Sequence, residues 1–278
     1  MTPVSKLFIA VLVTLPAAAC GAKATAAPDA KGSNDSRDAA PVDTRVADAA
    51  VADAPVATPG SLLFDGTDDF AQIPGIAAIS SLSEVTVEAW VKPMGPGASR
   101  MTILDKPLTV GSQFQLYRES DGRLFGTTWS GNSGTNPSTS RQADLVVGTW
   151  SHVALTFRNG TLAIYVNGTL VGSSSSAQMS TSVRDLLLGK NQDGTAAMFK
   201  GAIDEIRIWN TARSQAELQA NRMVALQGNE AHLVGYWACN EGTGDLVHDR
   251  TANQNTGRLG ASVGSDAADP TWSSDTPF

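Results

Sequence analysis

Apolar and polar residues alternate in short runs from residue 60 onward, and this pattern is typical of half-buried β-strands. In residues 84–92 the apolar positions recur at every second residue, so one face of that strand is predicted to point into a core. Further alternating runs are residues 113–118, 124–129, 151–158, 161–167, 185–188 and 203–209. Seven or more strands in one segment predict an all-β fold, a two-sheet antiparallel sandwich.

Turn residues separate several of these runs. Asn159-Gly160 lies between two alternating runs, and this pair favours the type I′ turn of a tight hairpin. Asn167-Gly168 begins the next turn. One short helix is predicted at residues 214–222, because Ser214 and Glu217 have the spacing of a capping box and Arg222 suits the negative end of the helix dipole.

Residues 1–20 have the organisation of an export signal. A nine-residue apolar run follows Lys6, and it is too short to span a bilayer, which takes about 20 helical residues. The alanines before Cys20 are similar to a bacterial lipobox, in which the cysteine is lipidated and becomes the mature N-terminus. Gly21 implies, by the same resemblance, sorting to the outer membrane. We expect an outer-membrane protein that contacts the membrane through this lipid anchor only, with ordinary secretion as the alternative.

Residues 21–59 are rich in Ala, Asp and Pro and contain no aromatic residue, Leu or Ile. Such a stretch buries too little apolar surface to offset its ordering entropy. It is predicted to be a disordered tether, with a short Ala-rich helix as the alternative. The expected organisation is therefore a signal over residues 1–20, a tether over 21–59 and one folded domain over 60–278.

Composition excludes several classes of function. The chain of 278 residues has 27 acidic and 20 basic residues, a formal charge of -7, and no cluster of Lys and Arg that would bind phosphates. We therefore expect no nucleic-acid partner. The three histidines and two cysteines stand far apart, which excludes the usual zinc spacings. With Cys20 lipidated or removed, Cys239 is predicted to be a free, buried thiol.

Five ordered blocks of sequence carry a family resemblance: residues 63–70, 86–93, 150–168, 199–210 and 235–244. Together they resemble the LamG-like jellyroll family of concanavalin A-like sandwiches, over about residues 60 to 278. The resemblance implies a two-sheet antiparallel jellyroll. It also implies an adhesion, sugar-binding or accessory module more often than a catalytic unit. The chain departs from the family at Cys239, where Phe or Pro is usual.

A catalytic alternative rests on two carboxylates. Glycoside hydrolases of this fold use paired acids on one strand, and Glu84 and Glu88 imitate that spacing. Residues four apart on a strand are separated by roughly 13 Å, and Thr86 stands where the hydrolase motif has its middle Asp. We therefore expect Glu88 to be a structural, hydrogen-bonded residue and the protein not to be an enzyme.

Calcium is the cofactor that the resemblance implies, since it is a hard cation bound by carboxylate and carbonyl oxygens. A structural site maps onto Asp65 in an early loop and Asp204 in a late strand. Asp204 is expected to share a face with Ile206 and Ile208, where a carboxylate needs a compensating partner. A second, rim site resembles the calcium loop of the pentraxins. Its candidate ligands are Asp105, Asn191 and Asp193. The alternative for the acidic residues of both sites is that they cap turns without binding an ion.

Tryptophans raise the question of sugar binding, because sugar rings stack on exposed indoles. Four of the six are expected to be packing residues: Trp90, Trp150, Trp209 and Trp237. Trp129 differs because it ends a strand and opens a long polar loop. We expect Trp129 to contact a ligand, with Tyr117 as its companion, and Trp272 to hold the last strand.

These observations predict a non-catalytic binding module at the cell surface, whose ligand is a glycan or a protein. A polysaccharide-acting enzyme or its accessory subunit is the alternative.

Overall fold

The computed structural model describes residues 60–75, 77–95, 100–130, 133–135, 139–175, 177–194 and 197–278, with side chains omitted for residues 133–135 and 139–143. The predicted signal, Cys20 and the predicted tether lie outside the described residues. No helix among the described residues has the length and apolar character of a membrane span.

The described strands form two antiparallel sheets. The order of neighbours in sheet A is β11 (Thr169–Ser174), β10 (Thr161–Val166), β9 (Ser151–Arg158), β3 (Glu84–Pro93), β13 (Lys200–Trp209), β1 (Ser61–Asp65) and β17 (Thr271–Ser273). A further strand, β14 (Leu233–Trp237), also pairs with β13.

Sheet B has the order β15 (Leu246–Val247), β16 (Gly257–Leu259), β2 (Ala71–Ile73), β12 (Leu186–Leu188), β4 (Met101–Pro107), β5 (Ser112–Arg118), β6 (Arg123–Ser130) and β7 (Ser133–Thr135). The remaining strand, β8 (Thr139–Asp144), pairs with β6. Two short helices are described, α1 (Ala77–Ser80) and α2 (Gln215–Asn221). The two-sheet sandwich is confirmed, although the sequence predicted one helix rather than two.

The core lies between the two sheets, where their inner faces share one apolar cluster. Sheet A contributes the alternating residues of β3, namely Val85, Val87, Ala89 and Val91, as the pattern predicted. Sheet B contributes Phe114 and Leu116 from β5. At Gly126 the sheets approach so closely that an added Cβ would lie 2.6 Å from Ile164 of sheet A.

The structure contains the turn and the helix cap that the sequence predicted. Asn159 and Gly160 have φ angles of 49° and 76°, as a type I′ turn requires. Ser214 caps α2, and its hydroxyl and the carboxylate of Glu217 form both hydrogen bonds of a capping box. Trp272 lies in β17, and its indole N–H donates to the Gly244 carbonyl at 2.8 Å.

A β-bulge in β13 changes the face that its residues occupy. Ile203 and Asp204 pair with Val91 and Trp90 of β3, and the register then shifts before Arg207 pairs with Glu88. Opposed residues share a face, so Asp204 lies on the outer face with Trp90. The prediction that Asp204 shares a face with Ile206 and Ile208 was wrong, because the extra residue restarts the alternation.

Cys239 is a free thiol with no exposed surface. Burial raises the pKa of its thiol well above the usual value, and the nearby carboxylate of Asp204 raises it further. The thiol is therefore protonated at neutral pH.

Candidate functional site

A cavity of about 140 Å³ opens on the outer face of sheet B. Its floor crosses β4, β5 and β6, where Asp105 pairs with Gln115 and Gln115 pairs with Thr127. All three side chains line the cavity. Since neighbouring strands lie about 4.8 Å apart, this polar row is roughly 10 Å long.

Asp105 is a buried carboxyl in this floor, with no exposed surface. Its Oδ2 accepts a hydrogen bond from the backbone N–H of Gln192 at 3.2 Å, and the Ser112 hydroxyl lies beside the carboxylate, although Oδ1 makes no hydrogen bond of normal geometry. Burial raises the pKa of Asp105 to about 7, and the negative charge of Asp193 adds to this effect. A buried oxygen without a well-formed hydrogen bond is costly, so Oδ1 can accept one from a bound group.

The loop that follows β12 forms one rim of the cavity. Asn191 and Gly194 form an isolated bridge that closes this turn. The Asp193 N–H donates to Asn191 Oδ1 at 3.2 Å, and Gln192 Nε2 donates to the Gly111 carbonyl at 3.0 Å. These contacts hold Asn191 and Asp193 beside Asp105, where all three line the cavity.

Trp129 forms an aromatic wall above Gly111. A Cβ added at Gly111 would lie 2.1 Å from Cδ2 of the indole, and Gly111 has a φ of +74°. Both observations require glycine at this position. The indole is partly exposed and therefore remains available to a ligand.

Tyr117 lines the cavity further along β5. Its ring stacks on Phe125 with centroids 5.3 Å apart, and the Arg100 guanidinium lies 4.1 Å from the Tyr117 centroid. Tyr117 is 7% exposed. Most of the ring is thus used in packing, and the part of Tyr117 that a ligand can reach is small.

The sequence predicted an aromatic ligand site and a rim calcium site as separate features, and the structure brings both into one cavity. The residues that coincide are Tyr117, Trp129, Asp105, Asn191 and Asp193. Sequence reasoning did not single out Thr127, Gln115, Gly111 or Arg100. Thr127 and Gln115 occupy outward-facing positions of alternating strands, and this alternation is the signal that could have identified them.

The family model of the concanavalin A-like lectin/glucanases superfamily matches residues 65–219, which is more than half of the chain. The protein belongs to this superfamily. The match covers the strands that build the cavity floor and the rim loop.

Solved structures of similar fold are distant in sequence from this member of the superfamily. One is a protein from Bacteroides ovatus described as carbohydrate binding, with 19% identity, a TM-score of 0.56, and coverage of 78% of this chain and 62% of that one. Another is a heptameric SAP-like pentraxin from Limulus polyphemus, with 17% identity, a TM-score of 0.51, and coverage of 75% and 98%. This chain therefore spans less than two thirds of the Bacteroides protein. No curated protein sequence matches it.

The two acids assigned to a structural calcium site of the superfamily do not meet. Asp65 pairs with Lys200, four residues before Asp204 on β13, which places the two backbones roughly 13 Å apart. The carboxylate of Asp65 instead accepts the backbone N–H groups of Thr67 at 2.6 Å and Asp68 at 3.4 Å. A single ion shared by Asp65 and Asp204 is thus excluded by geometry.

Asp204 lies beside Glu205 in a separate cavity of about 200 Å³, which Gly60 and Asn240 also line. Burial raises the pKa of Asp204 to about 8, and the charge of Glu205 raises it further. Its Oδ1 accepts the Glu205 N–H at 2.8 Å. Calcium binding at Asp204 stays a prediction.

Asp65 has other acidic neighbours. Among the described residues, carboxylate oxygens of Asp65, Asp68 and Asp69 lie within 4.8 Å of one another. Burial raises the pKa of Asp69 to about 6, and the charges of Asp65 and Asp68 add to this. Its Oδ2 nevertheless accepts the Asp65 N–H at 2.7 Å, so this carboxylate also closes the turn.

Glu88 is engaged as a structural residue on the outer face of sheet A. It has no exposed surface, and it hydrogen-bonds with His152 at 2.9 Å, Trp209 at 2.6 Å and Arg213 at 3.1 Å. The carboxylate of Glu84 lies 3.0 Å from the guanidinium of Arg158. With Glu88 closed to solvent, this acid pair cannot reach a polysaccharide.

The segment that carries α2 covers Glu88. Arg213 donates its backbone N–H to Thr86 Oγ1 at 2.8 Å, and Thr86 Oγ1 donates to the Thr211 carbonyl at 2.7 Å. The Trp90 indole N–H donates to the Arg222 carbonyl at 2.8 Å. The outer face of sheet A around Thr86, Glu88 and Trp90 is therefore covered by the protein's own chain.

Proposed function

We propose that the domain binds glycans, without hydrolysing them, in the cavity on the outer face of sheet B. The observation that carries the proposal is the convergence of Trp129 and Tyr117 with the polar floor of Asp105, Gln115 and Thr127. An aromatic face and a few placed polar groups are the usual components of a small-ligand site. The description of the Bacteroides protein as carbohydrate binding supports the same ligand class.

The position of Glu88 supports a binding role rather than a catalytic one. Glycoside hydrolysis needs two accessible carboxyl groups on either side of the scissile bond. Glu88 is closed to solvent by Arg213 and Trp209, so the pair of Glu84 and Glu88 does not meet this requirement.

The rim residues fit calcium by their chemistry. Asp105 Oδ1 is a buried oxygen without a well-formed hydrogen bond, and Asp193 and Asn191 add further oxygen ligands in the same cavity. We propose that these three residues hold the ion, which when bound would offer sugar hydroxyl groups a hard cation.

A glycan array with the purified full chain tests the proposal. We expect saturable binding to a restricted set of glycans, and stronger binding in calcium than in chelator. A parallel assay for reducing ends released from the bound glycans is expected to stay at background. Release of reducing ends would support the enzyme alternative. Absence of binding to every glycan would refute the proposal and favour a protein ligand.

We further propose that lipid on Cys20 holds the protein at the outer membrane. The Cys20→Ala variant is expected to move from the membrane fraction to the soluble fraction, because a lipid chain needs this thiol. Cys239→Ala is the matched control, since this cysteine is buried in the core and should leave the partition unchanged. A Cys20→Ala protein that stays with the membrane would contradict the anchor.

A further inference from the structure

The cavity on sheet B is small for a ligand site. Its volume is about 140 Å³. Sites for drug-sized ligands measure about 300 to 1,000 Å³. The cavity thus has room for about one sugar ring and not for several consecutive rings.

Described residues bound the cavity on three sides. Along β5, Trp129 lies above Gly111 near one end, and Tyr117 with the Arg100 guanidinium lies near the other. The third side is the rim loop, which Gln192 fixes through its N–H to Asp105 Oδ2. A sugar residue inside a chain is linked to a neighbour at each of two positions, so its site needs two openings for the chain. A terminal sugar residue has one such link and needs one opening.

The floor also has a polar group that no protein contact satisfies. Thr127 is 4% exposed, and its Oγ1 has no hydrogen-bond partner. A hydroxyl group of a sugar can both donate to and accept from this oxygen. Thr127 is therefore suited to contact the ring that enters the cavity.

From the size, the three walls and the unpaired Thr127 hydroxyl, we infer that the cavity recognises a single terminal sugar residue of a glycan chain. The inference rests on the proposed glycan-binding function and specifies its ligand as a chain end. Thr127 hydrogen-bonds to that terminal residue.

Calorimetry with a fixed panel of sugars tests this inference. The panel is glucose, galactose, mannose, xylose, arabinose, fucose, N-acetylglucosamine and galacturonic acid, followed by oligosaccharides of two to six units of each. We expect at least one monosaccharide to bind, and its oligosaccharides to bind with affinities within about threefold of it. For a site that binds the interior of a chain, the affinity would rise at least about tenfold between oligosaccharides of two and six units.

Thr127→Val is expected to weaken binding of that monosaccharide about tenfold, because the sugar hydroxyl loses its partner. Thr128→Val is the matched control, since Thr128 is the adjacent residue of β6 and is fully buried with an equally unpaired hydroxyl. It should leave the affinity unchanged.

Affinity that rises with chain length, or binding of oligosaccharides without any monosaccharide, would overturn the inference and leave glycan binding intact. Equal affinities of Thr127→Val and Thr128→Val would also overturn the role of Thr127. If neither the panel nor the array gives binding, the proposed function fails as well.

Discussion

Replacing Glu88 with alanine is expected to lower the free energy of unfolding by about 3 to 5 kcal/mol. The carboxylate accepts hydrogen bonds from Trp209 and Arg213 and contacts His152 in a site without solvent. Its removal leaves the guanidinium of Arg213, with a side chain 5% exposed, without its carboxylate partner. Urea denaturation of both proteins measures the difference.

Glu84→Gln is the matched control for this variant. Glu84 is on the same strand, but its partner Arg158 is 61% exposed, so the pair is screened by water. We expect a change below about 1 kcal/mol. A Glu88→Ala protein as stable as Glu84→Gln would show that the buried network contributes little.

The contribution of Glu88 should also be visible in how the free energy of unfolding depends on pH. Burial alone would raise the pKa of Glu88, but the His152 hydrogen bond and the charges of Arg207 and Arg213 outweigh it and lower the pKa to about 2. The group is then ionised in the folded protein where it would be protonated after unfolding. Its stabilising contribution is present above about pH 4.5 and is lost as the pH falls towards 2. Glu88→Gln should flatten this part of the profile.

Trp129→Ala is expected to reduce glycan affinity at least about 30-fold, the effect of losing about 2 kcal/mol of contact with an aromatic anchor. The indole is the partly exposed aromatic wall of the cavity, and its removal leaves the polar floor without a stacking surface. Titration of the strongest array ligand measures the loss.

Two further variants make this result specific. Gly111→Ala should weaken binding although Trp129 is unchanged, because its Cβ would displace the indole. Trp272→Phe is the control, since Trp272 lies in β17 of sheet A and its hydrogen-bond partner is Gly244. Wild-type affinity in Trp129→Ala would place the ligand site elsewhere.

Much of the fold was predictable because its signals are local. The alternation in β3, the Asn159-Gly160 turn and the cap of Ser214 each depend on residues within a few positions of one another. Helix α1 has only four residues. A helix is recognised from apolar residues that recur over several turns, so a helix of this length gives no pattern in the sequence. The bulge at Glu205 could not be predicted from the alternating pattern, because that pattern assumes that each residue of β13 opposes one residue of β3.

The candidate site was less predictable because it depends on pairings across the chain. Asp105 and Asp193 carried a recognisable pattern, but their shared cavity with Trp129 follows from the order of β12, β4, β5 and β6. Thr127 resembled any outward residue of a strand. Asp65 and Asp204 were paired by resemblance alone, and the register of β1 with β13 separates them.

With a single sugar residue as the ligand, as proposed above, one copy of the protein makes few contacts with it. A hexose has about 12 non-hydrogen atoms, and at ~0.3 kcal/mol per atom, the efficiency of drug-sized ligands, its binding free energy would be roughly −4 kcal/mol, which is a millimolar dissociation constant. Several copies on one surface that faces many chain ends would gain avidity of about 10² to 10⁴. Strong attachment would then depend on the density of copies, and it would be reversed by diluting them rather than by altering the cavity.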